Sequence, residues 1–173
     1  MPVSPLTDPW TPVYEDQGIE LFVDNLLSIF KRDQVAALAW ASRGEALGPF
    51  KVFNNSHRLN VEWPVISAVP TEEATPTQNG FLIGSAFGVD IEVEDFGNDP
   101  DALARTVERR MRAVRQMIWA ARVEDIMAGY PNGSWGVPTI EISKTIYTAY
   151  GNAQKSNYKQ YANISVTLDL LET

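Results

Sequence analysis

Apolar residues recur every three to four positions in the first part of this chain and then every two. Ile19, Phe22, Val23, Leu26, Ile29 and Phe30 share one side of a helix predicted from about Glu15 to Lys31, with Glu20, Asp24, Asn25 and Lys31 on other faces. A second helical piece is predicted from Gln34 to Ser42, with Asp33 as its N-cap and Val35, Leu38, Ala39 and Trp40 buried. Gly44 and Gly48-Pro49 stop it. Beyond Phe50 the period falls toward two. Phe50 to Phe53 reads as a short strand. Trp63 to Val69 reads as a stronger one, and Pro64 places it at a sheet edge or delays its start. Thr71 to Gly80 reads as a loop. Phe81 to Glu94 reads as a long strand with Phe87, Val89, Ile91 and Val93 on one face and Asp90, Glu92 and Glu94 on the other. Gly84 and Gly88 permit a bulge or bend in it.

The next helix has the clearest start. Asp99 is placed to cap, Pro100 suits the first helical position, and Asp101 suits the positive end of the dipole. Leu103, Val107, Met111, Val114, Ile118 and Ala121 form its apolar stripe, and its end is expected near Ala128-Gly129. Tyr130 to Pro138 reads as a loop. Thr139 to Tyr147 and Tyr161 to Leu170 read as closing strands, with Thr148 to Lys159 as a long hairpin tip. The predicted fold class is α+β: a mixed, mostly antiparallel sheet, helices packed on one face, and a long closing β-hairpin. Residues 14–173 are expected to form one domain. Residues 1–13 carry Pro2, Pro5, Pro9 and Pro12, so an extended arm is expected there, docked on a neighbouring subunit.

Composition narrows the function. A chain of 173 residues buries roughly 70% of its unfolded surface and needs no staples. It has no cysteine, which removes disulfides and thiolate metal sites. The formal net charge of -8 disfavours tight binding to nucleic acid through phosphates, but suits a surface that DNA slides past. No targeting segment is expected, and no apolar run reaches the roughly 18 residues of a membrane span.

No cofactor fingerprint, phosphate loop or nucleophile elbow is present. His57, the single histidine, sits in a polar loop and reads as structural. Asp90, Glu92 and Glu94 on one strand face are the remaining candidates for a hard cation or for acid/base work. The alternative is an acidic sheet surface facing a lumen or a basic partner. Arg105, Arg109, Arg112 and Arg115 lie largely on one side of their helix, which uses no lysine. Lysine serves solvation equally well, so an all-arginine face favours a subunit interface. Tyr150, Asn152, Lys155, Tyr158 and Lys159 interleave aromatics with bases in the predicted tip, which fits stacking on single-stranded nucleic acid or a partner-contact loop, while the acidic chain favours tyrosines packed on their own strands.

Several of these pieces together resemble a known family. They are the opening amphipathic helix, Trp63-Pro64-Val65-Ile66 after a long loop, and Val89-Asp90-Ile91-Glu92-Val93-Glu94-Asp95-Phe96 running into Asp99-Pro100-Asp101 and a long helix. The hairpin ending in Ala162-Asn163-Ile164-Ser165-Val166-Thr167-Leu168-Asp169-Leu170 completes the set. Over about residues 15–170 the chain resembles the tail-terminator, or head–tail completion, proteins of long-tailed bacteriophages. The resemblance implies a non-enzymatic virion protein made in the host cytoplasm. It implies a homohexameric ring that caps the tail tube protein, docks on the head connector and passes DNA through its lumen without specific binding. From the residues themselves, no cofactor, no metal and no membrane partner are expected. The proline-rich arm departs from the family pattern and leaves another neck-ring role open. A small monomeric hydrolase, a carboxylate–metal enzyme using Asp90, Glu92 and Glu94, and a protein-binding module are the rival classes.

Overall fold

Ile19–Ala41 forms one helix, α1, where two are predicted. The computed structural model describes residues 18–56, 62–74, 77–78, 81–82, 84–130, 139–152 and 157–171. The expected arm, His57 and Lys155 lie outside them. Asp33 does not cap a second helix. It lies inside α1, and its carboxylate accepts from Arg32 Nε and Nη2, both at 2.8 Å. With no break in the helix, the phase set by Phe22, Ile29 and Phe30 carries on to Ala37, Leu38 and Ala41, which are buried. Val35 and Trp40 fall off that stripe and are 70% and 53% exposed, and Ala39 is exposed as well, against expectation. Left-handed Arg43 and Gly44, at φ 51° and 92°, end the helix.

The fold is α+β. A six-stranded mixed sheet holds β1 (Val52–Asn54), β2 (Val65–Ala74), β5 (Gly84–Gly97), β8 (Asn157–Leu171), β6 (Thr139–Ile142) and β7 (Ile146–Asn152). The order is β1-β2-β5-β8-β6, with β7 also paired to β8. Only β1 and β2 run parallel; every other pair in this sheet is antiparallel. A separate ribbon joins β3 (Thr77–Gln78) to β4 (Phe81–Leu82).

β2 is an interior strand. Pro64 stands just before it, where its missing N–H costs no ladder bond. The strand also runs on to Ala74, through the first part of the predicted loop. Its register slips between Pro70 and Glu72, so the bulged residue is Thr71, opposite Gly88 and not within β5. A Cβ on Gly88 would sit 3.0 Å from Thr71 Oγ1 and 3.1 Å from Glu72 Cβ, so glycine makes room for the bulge.

α2 spans Pro100–Ala120. Asp99 Oδ1 accepts from the backbone N–H of Asp101 at 3.0 Å and of Ala102 at 3.1 Å. Asp99→Ala is therefore expected to cost about 1 kcal/mol, read as a lower urea midpoint at unchanged slope; no shift would show that the cap is dispensable. The helix ends earlier than the predicted Ala128-Gly129. Ala121 turns extended, and a short α3, Val123–Ile126, follows. Asn25 Nδ2 donates to the carbonyls of Ile126 at 2.8 Å and Ala128 at 2.9 Å, holding α3 against α1.

Both long helices pack on one face of the sheet, over Ile66, Ala68, Phe87, Val89, Ile91, Val93, Ala162, Ile164, Val166 and Leu168. The predicted strand Thr139 to Tyr147 is two strands. Ile142 pairs with Val166 and Ile146 with Asn163, which leaves one extra residue between them. Ser143 fills that break: its N–H donates to Ser165 O, and its Oγ accepts from Ser165 N–H, each at 2.9 Å. The predicted tip is also shorter than expected. Thr148–Asn152 pairs with Asn157–Tyr161 as a ladder, because an edge strand tolerates polar residues that resemble a loop in sequence.

Candidate functional site

One face of the sheet carries the helices. The register defines the other. Glu94 aligns with Val65 and Tyr161, Glu92 with Ser67 and Asn163, and Asp90 with Val69 and Ser165. Farther along, Gly88 aligns with Glu72 and Thr167, Thr167 with Glu141, and Asp169 with Ala86 and Thr139. Glu72, Glu141 and Asp169 therefore join Asp90, Glu92 and Glu94 on the helix-free face. Sequence reading found only the three on β5, since pairing across strands is not visible in a linear pattern.

The three β5 carboxylates differ from one another. Glu94 is buried, and its Oε1 accepts from Trp63 Nε1 at 2.6 Å and pairs with Lys159 Nζ at 3.1 Å. Burial, and then the nearby Glu94 charge, push the Tyr161 hydroxyl above its ordinary pKa. Lys159 also lies 4.8 Å from the centre of the Trp63 ring, which stacks on Phe96 at 5.1 Å. Asp90 Oδ1 accepts from Ser165 Oγ at 2.6 Å. Glu92 is half-buried. Carboxylates at every second residue of a strand stand about 6.5–7 Å apart, too far to converge on one ion without help from elsewhere. Among the described residues no group of three or more His, Cys, Asp or Glu is placed to hold a metal.

Arg105, Arg109 and Arg112 sit on the outer side of α2, while Arg115 lies on its flank and reaches the β6–β7 link of the sheet. Arg105 is exposed. Arg109 pairs with Glu45 of its own chain. The Arg112 guanidinium lies 4.7 Å from the centre of the Trp40 ring. The Arg115 guanidinium lies 5.4 Å from the Trp119 ring, and its Nη1 donates to Thr145 Oγ1 at 2.9 Å. A fifth arginine behaves differently. Arg110 is buried, its Nε donates to Asp95 Oδ2 at 2.9 Å, and its Nη1 donates to Gly48 O at 2.7 Å. Its spacing gave a usable signal: Arg110 stands three residues after Val107 and four before Val114, inside the apolar stripe.

Between α1 and α2, an open cleft of about 680 Å³ is walled by Trp40 and floored by Ala36, Met117 and Ala120, with Arg32 and Arg122 at its rim. Arg32 bridges Asp33 and Asp125, and its hydrogen bond holds the Asp33 carboxyl below its ordinary range. At the hairpin, Tyr150 is exposed and packs edge-on against Tyr161, with ring centres 5.5 Å apart. Tyr158 is instead half-buried against the core, and Asn152 pairs with Asn157. The candidate contact residues thus split between a solvent-facing tyrosine and groups used within the sheet. No described helix is long and apolar enough to cross a membrane.

No family model matches the chain, and no curated protein matches it. Among solved structures, it is similar to a chain from a structure described as "Virion of native gene transfer agent (GTA) particle". The identity is 11% and the TM-score 0.37, over 78% of this chain and 92% of that one. A superposition that loose leaves the functional reading to the residues themselves.

Proposed function

We propose that the chain is a non-catalytic ring subunit of a phage neck, one that ends the tail tube, docks it to the head connector and passes DNA through its lumen. One observation carries this reading: carboxylates gather on the helix-free sheet face, and a basic stripe runs along the outer side of α2. The helix-free face gathers Glu72, Asp90, Glu92, Glu141 and Asp169, and the opposite helical surface carries Arg105 and Arg112, with Arg115 on the flank of α2. A subunit with complementary opposite faces associates head to tail, and such contacts close into rings when the rotation allows. The order and texture of elements that resemble tail terminators support six copies per ring. The net charge of -8 keeps passing DNA from sticking.

Exposed ion pairs contribute about 0–1 kcal/mol each, so charge sets register and partner choice while apolar contacts hold the ring. Arg105 and Arg112 are the informative positions, because Arg109 already has Glu45. Light scattering and negative-stain images of the wild type should show a closed ring. The double reversal Arg105→Glu and Arg112→Glu should shift it toward folded monomers, and added salt should weaken wild-type assembly modestly. A wild type that stays monomeric at all concentrations, or reproducible turnover abolished by Asp90→Asn, would overturn the reading.

A further inference from the structure

We infer that Trp40 and Trp119 are the anchors by which one copy grips the next, and that they seat on the β6–β8 end of the neighbour's open sheet face. The inference rests on the ring reading and names the two surfaces that meet. Trp40 is 53% exposed and Trp119 65% exposed, although indole rings are usually largely covered. Each ring lies against a guanidinium, Arg112 and Arg115 respectively, so aromatic area and positive charge form one surface. Arg105, Arg112 and Trp119 follow at seven-residue intervals, about two helical turns, and so lie on one stripe of α2. Tryptophan and arginine are the residue types in which binding energy concentrates at protein interfaces.

The occupant follows from charge and shape. Five arginines and two acids lie in α2, on a chain whose net charge is -8, so a second copy offers acidic surface on its other sides. The helix-free face is covered along β2, where Val65, Ser67 and Val69 are buried, and it has two unlike ends. At the end near Trp63, Lys159 pairs with Glu94 and repels arginine. At the other end, Glu141 and Asp169 stand among Thr139, Ser165 and Thr167; no lysine or arginine is in register with them, and the base nearest in sequence is Lys144, just past Ser143 at the break between β6 and β7. Short hydroxyl side chains leave a flat floor for an indole ring, and the two carboxylates meet the guanidinium edges. That end also lies on the opposite side of the subunit from α2, as head-to-tail contact requires.

The test is sedimentation of the full chain over a concentration series. Trp40→Ser with Trp119→Ser should raise the concentration for half-assembly at least tenfold, with unchanged circular dichroism and thermal midpoint. Arg112→Glu and Asp169→Arg should each weaken assembly, and the two changes combined in one chain should restore it. If the wild type forms rings and the tryptophan variant assembles equally well, the inference falls and the ring reading stands. If the combined reversal assembles no better than either single change, the assigned acceptor surface is wrong. If the wild type never assembles, the ring reading falls and takes this contact with it.

Discussion

Replacing Arg110 with alanine is expected to cost about 3–5 kcal/mol of folding stability, the usual cost of breaking a buried ion pair from one side. Arg110 is only 5% exposed. Its guanidinium links three pieces of chain: the end of β5 through Asp95, the loop before β1 through the Gly48 carbonyl, and α2 itself. It also lies 5.4 Å from the centre of the Phe50 ring. Burial pushes its pKa down and the Asp95 charge opposes that shift. Arginine starts so high that it remains a cation. The alanine variant would therefore strand the Asp95 carboxylate in a place with little water. Removing both charges, as Arg110→Met with Asp95→Leu, should recover most of the loss, because a well-packed apolar pair avoids desolvation altogether. The recovery is bounded by two bonds: the Phe96 N–H loses Asp95 Oδ1, its acceptor at 2.9 Å, and the Gly48 carbonyl loses the Arg110 guanidinium. Urea unfolding of the three proteins decides the matter. A loss below about 1 kcal/mol in Arg110→Ala would mean that water reaches the pair and that it behaves as a surface bridge.

Asn25→Leu is the second change with a large expected effect, about 1–3 kcal/mol. Asn25 is 9% exposed on the face of α1 that meets α3, and one side-chain amide satisfies two carbonyls there. The Ile126 end is buried, so its carbonyl would be stranded. Ala128 is exposed, so its carbonyl would regain water. One stranded group and not two sets the size of the effect. The loss should also be local. Hydrogen exchange over residues 123–128 should accelerate far more than exchange in β5 or β8, because what then holds this short element is Ile126 in the core and the exposed Arg32–Asp125 pair. Uniform acceleration across the chain would show instead that α3 unfolds only with the whole domain.

The sites were only partly legible. Arg105, Arg109, Arg112 and Arg115 are readable as one side of a helix because helical spacing is local information. Their different fates are not, since Glu45, Trp40 and Thr145 come from distant segments. Trp40 was expected inside because a second helix starting after Asp33 would have reset the phase of the apolar stripe. One unbroken helix carries the earlier phase forward and turns that side chain outward.

The sequence by itself determined the fold class, the capped start of α2, the alternation of β5 and the identity of most core positions. Each of these follows from contacts within a few residues: a cap, a helical repeat, a pleat. Tertiary structure alone decided that β2 is interior, that β6 and β7 share β8, and that Glu72, Glu141 and Asp169 join Asp90 and Glu92 on one face. It also decided that Glu94 is matched by Lys159 and Trp63. Strand register and long-range pairing depend on which partner a strand finds, and a face shared by four strands exists only once they are side by side.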